Sequence, residues 1–598
     1  MKKFLSLLLS VCMLATVVAV PAFATEAGTY NGTAMGHAYD LTVAVTVDAD
    51  GTITDVTVTE NGDEADGTGI SANAIAVIPG KIVEEQSLTV DSVAGATMTS
   101  EAIITATSEA LTAAGADPNA YCADMADPEE EGDKTQVEET TDVLVIGAGV
   151  AGLTAALSAK ENGANVIVID KMPYAGGTTN SAGGILVCVG SELFANNRLD
   201  SDNLEATLAY WEDHMSYSCM DSGYPDMDRL TDVLASTGST VDWLVANDVE
   251  FAAEPYSAST SYPMALANGG GAGLINMLVA STTARGVDLR LNTKGIQLIS
   301  DSVGTIVGAM AETEDSIITF HADSVVLATG GISQNEELVE KYSPKLHRAG
   351  LVPTSAVSHT GDGLLMALEV GAGTFDVFST PLFSQIVDPK LSAITDTSAL
   401  TIYSQLGVNA NGNRFGNEAA SAGWDTMDYT ASDMIQDGNA PFWYIYDSSD
   451  EAIAAVLEAG VEAGIVAKGE TIEELALSMH VYTASLTASY ADYSAYVAAG
   501  EDIQFGKDAA FLKAIDQAPF YAVKVYPTTF GSAGGVTTTA DGRVTKQDGT
   551  VIPGLYAAGE MSNRYFYNEN YILAASLGLY STMGRRAGAA AAADALAK

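Results

Sequence analysis

The sequence predicts an α/β protein in which a small α+β domain precedes a larger domain built on a parallel sheet. Two observations predict this fold class. Residues 25–116 contain a strand–turn–strand–helix pattern, and a strand–helix–strand pattern begins at Asp142. The hydrophilic stretch 117–141 separates the two patterns and is predicted to be a linker.

The first pattern consists of two short strands and a helix. Residues 41–47 alternate between apolar and polar side chains, 48–51 form a turn of aspartate and glycine, and 53–58 form a second strand. Residues 100–113 follow as a helix of small side chains. Together these elements suit one α+β domain over 25–116.

The second pattern is a βαβ unit. An apolar run at 143–146 is typical of a buried strand, a helical pattern follows at 151–162, and the next strand occupies 165–169. Two more strands are predicted, at 324–328 and at 555–560. Strands that alternate with helices in this way favour a parallel sheet.

Length and charge limit the functions that the chain can have. Its 598 residues are enough for three or four domains at roughly 150 residues each. Hydrophobic residues make up 47%, which is ample for large cores. The net charge is −51, and a surface this acidic repels nucleic acid and anionic lipid. We therefore expect no nucleic-acid partner.

The first residues resemble an export signal. Lys2 and Lys3 precede an apolar run at 4–20, and the small residues at 22–24 form a cleavage site, which gives a signal peptide over 1–24. The alternative is a membrane anchor, but the apolar run is short for one. The protein is therefore expected outside the cytoplasm, either secreted or associated with the cell surface.

Cysteine and histidine usage does not predict a metal site. Cys122, Cys188 and Cys219 lie outside the predicted signal, and their odd number and wide spacing do not form a disulfide framework. The six histidines are scattered and show no metal-ligand spacing. We therefore expect no metal in this protein.

A glycine-rich motif predicts a dinucleotide site in the larger domain. Gly147, Gly149 and Gly152 follow the first strand and open the helix, and Asp170 ends the next strand. This context provides a tight turn, close approach of a pyrophosphate, helix packing, and a carboxylate for ribose hydroxyls. The larger domain is therefore predicted to be Rossmann-like.

A second motif lies in the small domain, at 91–100. Gly95 allows close approach of a phosphate, and Thr97 opens a helix, where an anion is favoured. The alternative is a simple helix cap after a turn. The segment resembles the attachment motif of FMN-binding domains in sodium-pumping and Rnf-type redox complexes, although Ala94 departs from it. The resemblance implies that a flavin transferase attaches FMN covalently to Thr97, with Thr99 as the alternative.

Further motifs resemble the fumarate reductase and succinate dehydrogenase flavoprotein family. They are the glycine-rich segments at 176–184, 328–331, 360–363 and 554–560, and the resemblance covers about 140–598. It implies FAD, bound non-covalently. The contacts it implies, besides the three motif glycines, are Asp170, Lys171, Gly177, Thr178, Thr179, Gly183, Gly184, Gly330, Asp362 and Glu560, with Ser576 and Leu577 beside the isoalloxazine. His359 is expected behind the FAD.

The resemblance also implies how the larger domain is divided. FAD-binding parts are expected at 142–379 and 521–598, and an α+β capping domain inserted at 380–520 would close over the flavin. With the leader and the FMN-binding domain, the whole resembles extracytoplasmic respiratory reductases, among them the urocanate reductases.

The substrate site departs from the pattern of the fumarate-reducing members. Their two histidines, threonine–glutamate pair and two arginines would fall on Phe383, Phe530 or Gly531, Thr397–Ser398, Ala422 and Tyr571. The Asn413–Glu418 motif that precedes the first of these arginines is present. Without positive groups a buried dianion is strongly disfavoured. The aromatic replacements favour a larger and less charged substrate instead.

Tyr571 is the most informative replacement. In related ketosteroid dehydrogenases a tyrosine at this position hydrogen-bonds the substrate ketone, which implies a donor for a carbonyl that gains negative charge. The alternative is a packed core tyrosine. Candidate proton donors are Asp425, Tyr403 and Ser421, each of which also suits a structural role.

These observations predict an extracytoplasmic reductase of an activated C=C bond, such as an enone or aryl acrylate, rather than of fumarate. Electrons would enter through the covalent FMN, from a membrane donor or an extracellular flavin electron-transfer chain. The alternatives are an FAD-dependent dehydrogenase of ketosteroid type and an electron carrier without its own substrate. The protein is expected to be a monomer.

Overall fold

The structure is a computed structural model that describes residues 27–35, 40–61, 70–90, 97–116, 118–121, 134–217, 223–256, 262–379, 382–400, 402–568 and 570–598. The chain divides into two compact units, 1–132 and 133–598, which are described separately. The predicted signal, residues 91–96 of the FMN motif, Cys122, Cys219 and the side chains of Thr97 and Phe383 lie outside the described part.

The first unit is an antiparallel sheet covered by two helices. Its elements are β1 (Gly28–Met35), β2 (Asp40–Val47), β3 (Ile53–Asn61), α1 (Ile70–Glu85) and α2 (Thr97–Ala113). The strand order is β1-β2-β3. The predicted strands and helix are present, and β1 and α1 were not predicted. Leu41, Val43 and Val45 alternate along β2 and point into the core.

Gly32 explains how closely α2 packs on this sheet. A Cβ atom at Gly32 would lie 1.9 Å from the backbone oxygen of Ala106, which is on α2. A side chain at this point of β1 would therefore push the helix away from the sheet.

The second unit contains all the remaining strands. In chain order they are β4 (Thr135–Ile146), β5 (Val166–Ile169), β6 (Ile185–Val187), β7 (Met264–Leu266), β8 (Asp288–Arg290), β9 (Lys294–Ser300), β10 (Ile306–Glu312), β11 (Ser316–Leu327), β12 (Val352–Pro353), β13 (Leu382–Val387), β14 (Leu406–Val408), β15 (Phe442–Tyr446), β16 (Ala467–Gly469), β17 (Phe520–Thr529), β18 (Arg543–Thr545) and β19 (Val551–Ala557).

The helices of the second unit lie between and around these strands. In chain order they are α3 (Val150–Glu161), α4 (Leu204–Met215), α5 (Met227–Leu234), α6 (Thr237–Ala246), α7 (Gly270–Ala284), α8 (Glu336–Tyr342), α9 (Pro344–Arg348), α10 (Asp362–Glu369), α11 (Pro389–Ser392), α12 (Tyr429–Asp437), α13 (Glu451–Glu462), α14 (Ile472–Met479), α15 (Thr483–Ala499) and α16 (Ser576–Leu596). None of the described helices is both long enough and apolar enough to cross a membrane.

The main sheet has the predicted Rossmann-like arrangement. Its order is β18-β19-β11-β4-β5-β8, and the β9–β10 hairpin continues from β11. Strands β19, β11, β4, β5 and β8 run parallel, whereas β18 is antiparallel. The α/β fold class predicted from the sequence is confirmed.

Strand β4 begins earlier than the sequence suggested. It pairs with β11 from Thr135 opposite Ser316 to Ile146 opposite Leu327. The prediction that 117–141 is a linker is therefore wrong for residues 135–141. This part of the strand is largely exposed, so its polar composition is typical of a linker although its backbone is paired.

A second sheet lies mostly within residues 380–520, the segment predicted to be a capping domain, and we refer to this segment as the cap. Its order is β12-β17-β15-β14, and β13 and β16 also pair with β17. Strand β17 runs to Thr529 and therefore lies in the cap sheet, beyond the boundary predicted at 520. The sequence of β17 is mostly apolar and is compatible with either sheet, so only its long-range pairing distinguishes them.

Helices α3 and α16 pack together on the main sheet without intervening side chains. A Cβ atom at Gly584 would lie 2.2 Å from the oxygen of Ala151, and one at Gly588 would lie 2.0 Å from the oxygen of Ala155. This close contact holds the amino-terminal ends of both helices beside the carboxyl ends of the central strands.

Candidate active site

A cavity of about 520 Å³ opens where the central strands end. Its walls include Gly147 after β4, Asp170 after β5, Gly330 after β11 and Glu560 after β19. The carboxyl edge of a parallel sheet is where open α/β folds bind their ligands.

The glycine motif forms one end of this cavity. Gly147 has a φ of +107°, and a Cβ atom there would lie 2.3 Å from the oxygen of Ala328. A Cβ atom at Gly152 would lie 1.8 Å from the oxygen of Gly147, so this glycine allows α3 to start against the turn. Gly149 precedes α3 without a side-chain cap, and a Cβ atom there would make only an ordinary contact, 3.7 Å from the oxygen of Gly176. The first amides of α3 are therefore available to a pyrophosphate.

Acidic and basic groups are paired beside this loop. Asp170 accepts the backbone N–H of Ala148 at 2.7 Å, and burial raises the pKa of the Asp170 carboxyl. Lys171 Nζ lies 2.6 Å from Asp362 Oδ2 and 2.6 Å from the hydroxyl of Thr360. Lys171 thereby balances the charge of Asp362 at the cavity wall.

The second glycine-rich loop contacts a buried histidine and glutamate. The Thr178 hydroxyl lies 3.0 Å from His359 Nε2, and His359 Nδ1 lies 3.5 Å from Glu560 Oε2. Glu560 also accepts the backbone N–H of Ser532 at 2.5 Å. Burial raises the pKa of the Glu560 carboxyl above its ordinary value. Gly330 permits the arrangement, because a Cβ atom there would lie 2.7 Å from His359 Nε2.

The amino terminus of α16 reaches the opposite end of the cavity. Ser576 and Leu577 line the wall, and α16 has no side-chain cap. The preceding Ala574 has a φ of +67°, which a residue with a side chain rarely adopts. The uncapped end of the helix therefore favours negative charge inside the cavity.

The cavity fits an FAD molecule. Every FAD contact predicted from the sequence lines it except Gly152, which packs behind the turn. Two uncapped helix ends, crowded glycines and paired charges together form the cradle that a dinucleotide requires. Lys294, Ala574 and Tyr580 also line the cavity but were not predicted, because no sequence motif includes them.

An aromatic wall completes the same cavity. Tyr571, Phe530, Trp424 and Met427 line it, and 7% of Tyr571 is exposed. Burial raises the pKa of the Tyr571 phenol to about 12, although hydrogen bonds from Ser576 act in the opposite direction.

The positive groups on the cavity wall all have acidic neighbours. Among the described lining residues they are Lys171 and Lys294, whose Nζ atoms lie 2.6 and 3.9 Å from the same carboxylate, that of Asp362. The aromatic part of the wall provides no cation for a substrate carboxylate.

None of the three candidate proton donors is among the residues that line the cavity. Asp425 follows the lining residue Trp424 and hydrogen-bonds the phenol of Tyr210. Tyr403 packs edge to face on Phe511, with ring centroids 6.1 Å apart, and does not line the cavity. The Ser421 hydroxyl is buried and accepts a backbone N–H at 2.9 Å, which is a structural role.

Four buried charges hold the Asn413–Glu418 segment in the cap, and we call them the charge quartet. Arg414 lies 2.8 Å from both Glu418 and Asp502, and Lys507 lies 3.2 Å from Glu418. Burial alone would raise the pKa of Glu418, but Lys507 and Arg414 outweigh it and keep the pKa below its ordinary value. The quartet therefore fixes the loop that leads to Trp424.

Comparison with known proteins agrees with this geometry. The FAD binding domain family matches residues 142–570, and the FMN-binding domain family matches 36–112. A probable fumarate reductase of Shewanella frigidimarina is 31% identical over 433 residues, which cover 71% of this chain and 70% of that protein. A urocanate reductase of Eggerthella lenta is 29% identical over 590 residues, which cover 94% and 92%.

A solved structure extends the comparison to a complex with a neutral ligand. The 3-ketosteroid-Δ4-(5α)-dehydrogenase of Rhodococcus jostii, in complex with 4-androstene-3,17-dione, has a TM-score of 0.57 and 25% identity, covering 76% of this chain and 97% of its own. Because the FAD-binding family matches most of the chain, the protein belongs to the flavoprotein oxidoreductases that carry this FAD-binding domain, and it has an FMN-binding domain ahead of it.

Proposed function

We propose that this protein reduces the activated C=C bond of an uncharged or weakly charged organic molecule, such as an enone or an aryl acrylate. The observation that carries the proposal is the combination of an FAD cradle with an aromatic wall in one cavity. Relatives named for reducing fumarate and urocanate, and a structural neighbour that binds a ketosteroid, support the same chemistry.

Tyr571 is the group that we propose activates the substrate. When bound and reduced, FAD supplies a hydride to the β-carbon of the double bond. Negative charge then develops on the conjugated carbonyl oxygen, and a preorganised donor stabilises it. With a pKa of about 12, the Tyr571 phenol stays protonated at neutral pH and can donate.

The charge of the wall restricts the substrate. A dicarboxylate would bring two negative charges to a wall whose two lysines already pair with Asp362. Leaving two buried carboxylates unpaired is strongly unfavourable. Trp424, Phe530 and Tyr571 instead offer flat apolar surface to a ring.

We propose Asp425 as the proton donor, because it directly follows the lining residue Trp424 on the cap segment. Its carboxylate hydrogen-bonds the phenol of Tyr210, which fixes its position beside the cavity wall. Tyr403 packs elsewhere and Ser421 is engaged in a backbone contact, so both are weaker candidates.

The FMN is proposed to be attached to Thr97, where α2 begins. The alternative, Thr99, is 1% exposed, so its hydroxyl is poorly placed to receive a bulky phosphoester. A flavin transferase would make the bond, and FMN would receive electrons from a membrane donor or an extracellular flavin chain. The protein would act outside the cytoplasm after removal of residues 1–24.

A dehydrogenase of ketosteroid type is the second candidate function. The shared fold, and the Tyr571 phenol on an aromatic part of the wall without a cation, favour it. The FMN-binding domain favours reduction of the substrate instead, because it offers a route by which electrons enter the protein. A dehydrogenase needs a route by which electrons leave. An electron carrier without its own substrate is the third.

An anaerobic acceptor screen tests these functions. The mature protein is reduced with a limiting amount of dithionite and mixed with enones, aryl acrylates, fumarate or a dye, and flavin absorbance reports reoxidation. We expect rapid reoxidation by one neutral or monoanionic acceptor and slow reoxidation by fumarate. If fumarate is the fastest acceptor, the substrate class is wrong. If only dyes react, the protein is an electron carrier.

A further inference from the structure

Asp428 lies where the cap meets the cavity. It directly precedes α12, and its neighbour Met427 lines the cavity. The carboxylate is buried, with 4% of the side chain exposed. Its Oδ2 atom accepts the backbone N–H of Tyr571 at 2.9 Å and the side-chain amide of Asn570 at 3.0 Å. The cap therefore contacts the backbone that carries the Tyr571 phenol.

The same carboxylate also faces α4. Asp428 Oδ1 lies 3.2 Å from Nε2 of His214, whose side chain is 3% exposed. Nearby, the side-chain amide of Asn568 donates to the oxygen of Met215 at 2.7 Å. Asn568 is thus held by the end of α4, and Asn570 and Tyr571 are held by Asp428.

Asp428 does not cap its own helix, although it occupies the position where aspartate usually does so. A side-chain cap stabilises a helix by about 1 kcal/mol, and Asp388 and Asp450 provide such caps for α11 and α13. At α12 the backbone of Asp428 is helical, and the Ser421 hydroxyl accepts the N–H of Thr430 in the first turn. The Asp428 carboxylate instead contacts Tyr571, Asn570 and His214. The side chain therefore has a use other than helix stability.

We propose that Asp428 is a positioning residue for Tyr571. It fixes the backbone from which the phenol projects and ties that backbone to the cap segment over the cavity. The inference rests on the proposed function, in which the phenol donates to the substrate carbonyl. Precise placement of the phenol matters, because a displacement of about 1 Å at a reacting centre can lower a rate by about 100-fold.

The contact also couples the cap to the site. Asp428 belongs to the cap segment that carries Met427, whereas Asn570 and Tyr571 lie beyond the cap sheet, next to α16. These hydrogen bonds therefore join the cap segment directly to the loop that carries the phenol.

Three variants separate these roles. Asp428→Ala removes every contact of the carboxylate. Asp428→Asn keeps an oxygen for Tyr571 and Asn570, and its amide can donate to His214. Asp447→Ala is the matched control, because Asp447 is also a buried aspartate of the cap that accepts two backbone N–H groups, at 2.8 and 3.0 Å, from Asp516 and Gln517.

Hydrogen exchange of the FAD-loaded protein tests the hold on the backbone without substrate. We expect the amide of Tyr571 to exchange at least about 10-fold faster in Asp428→Ala and to stay slow in Asp428→Asn and Asp447→Ala. Unchanged exchange in Asp428→Ala would overturn the proposal. If this variant does not accumulate, Asp428→Ser replaces it, with the same expected direction.

A double-mutant cycle with Tyr571→Phe tests whether Asp428 acts through the phenol. Asp428→Ala alone is expected to lower kcat by about 10- to 100-fold, and by less than about 3-fold in the Tyr571→Phe background. Equal losses in both backgrounds would mean a merely structural role and refute the proposal. If Tyr571→Phe itself keeps full activity, the proposed function of Tyr571 fails, while the exchange result still decides whether Asp428 holds its backbone.

Discussion

Tyr571 projects from the loop before α16 into the cavity that holds the FAD cradle. Its neighbours on the wall are aromatic or apolar, and burial keeps its pKa at about 12. A phenol of this kind can donate one hydrogen bond but carries no charge at neutral pH. A phenol rather than a cation at position 571 therefore suits a neutral substrate carbonyl better than a substrate carboxylate.

At this scale we predict that Tyr571→Phe lowers kcat by about 100-fold, the loss that follows removal of one donor to a developing oxyanion. FAD content should stay unchanged, because phenylalanine retains the ring. Anaerobic stopped-flow reoxidation with the best acceptor measures the effect. Tyr567→Phe is the control, since Tyr567 bonds Ser576 at 3.0 Å but does not line the cavity. Equal losses in both variants would contradict this role.

Asp433 provides a pH-dependent prediction. Burial raises its pKa to about 7, above roughly 4 in the unfolded chain. The folded state then binds more protons between these values, so stability is lost as pH rises from about 4 to about 7. We predict that the melting temperature of Asp433→Asn, relative to that of the wild type, increases as the pH rises from 4.5 to 8. An unchanged difference would refute the raised pKa.

At the scale of elements, local signals were predictable and long-range pairing was not. β4, α3 and β5 could be predicted because the glycine motif must lie between a strand and a helix. The cap sheet could not, since β13 to β17 meet across long sequence separations and β17 is compatible with either sheet. The hydrophilic start of β4 has the composition of a linker, and its pairing with β11 is not visible in the sequence for the same reason.

We predict that Gly152→Ala weakens FAD binding by about 10- to 100-fold, because the new methyl group would lie 1.8 Å from the oxygen of Gly147 and α3 would have to shift. Flavin released by denaturation measures the FAD content after dialysis. Gly80→Ala on α1 is the control, since a Cβ atom there meets nothing within 4 Å. Full retention of FAD in Gly152→Ala would contradict the prediction and show that α3 shifts with little loss of free energy.

At the scale of the whole molecule, the sequence predicted two flavin-binding parts, and both families match where they were expected. The predicted FAD contacts other than Gly152 come together on one cavity wall, because the glycine-rich loops that contain most of them follow the ends of the central strands. The substrate wall was only partly predictable. Trp424 and Met427 belong to no motif, and they reach the cavity through the path of the loop after the charge quartet.

Two separate flavin sites give a prediction for the whole chain. Thr97→Ala should remove the covalent FMN and leave FAD bound, whereas Thr99→Ala should keep both. Flavin fluorescence of the denatured protein in a gel reports the covalent group, and the released flavin reports FAD. Covalent fluorescence that persists in Thr97→Ala would move the attachment to another residue.

The charge quartet has a consequence for how such proteins diversify. Arg414, Glu418, Asp502 and Lys507 form ion pairs with one another inside the cap, and none of them lines the cavity. Positions such as 422 and 571 can therefore change without disturbing them. A lineage could exchange a charged acceptor for a neutral one in a few steps, while the scaffold that folds around the acceptor stays intact.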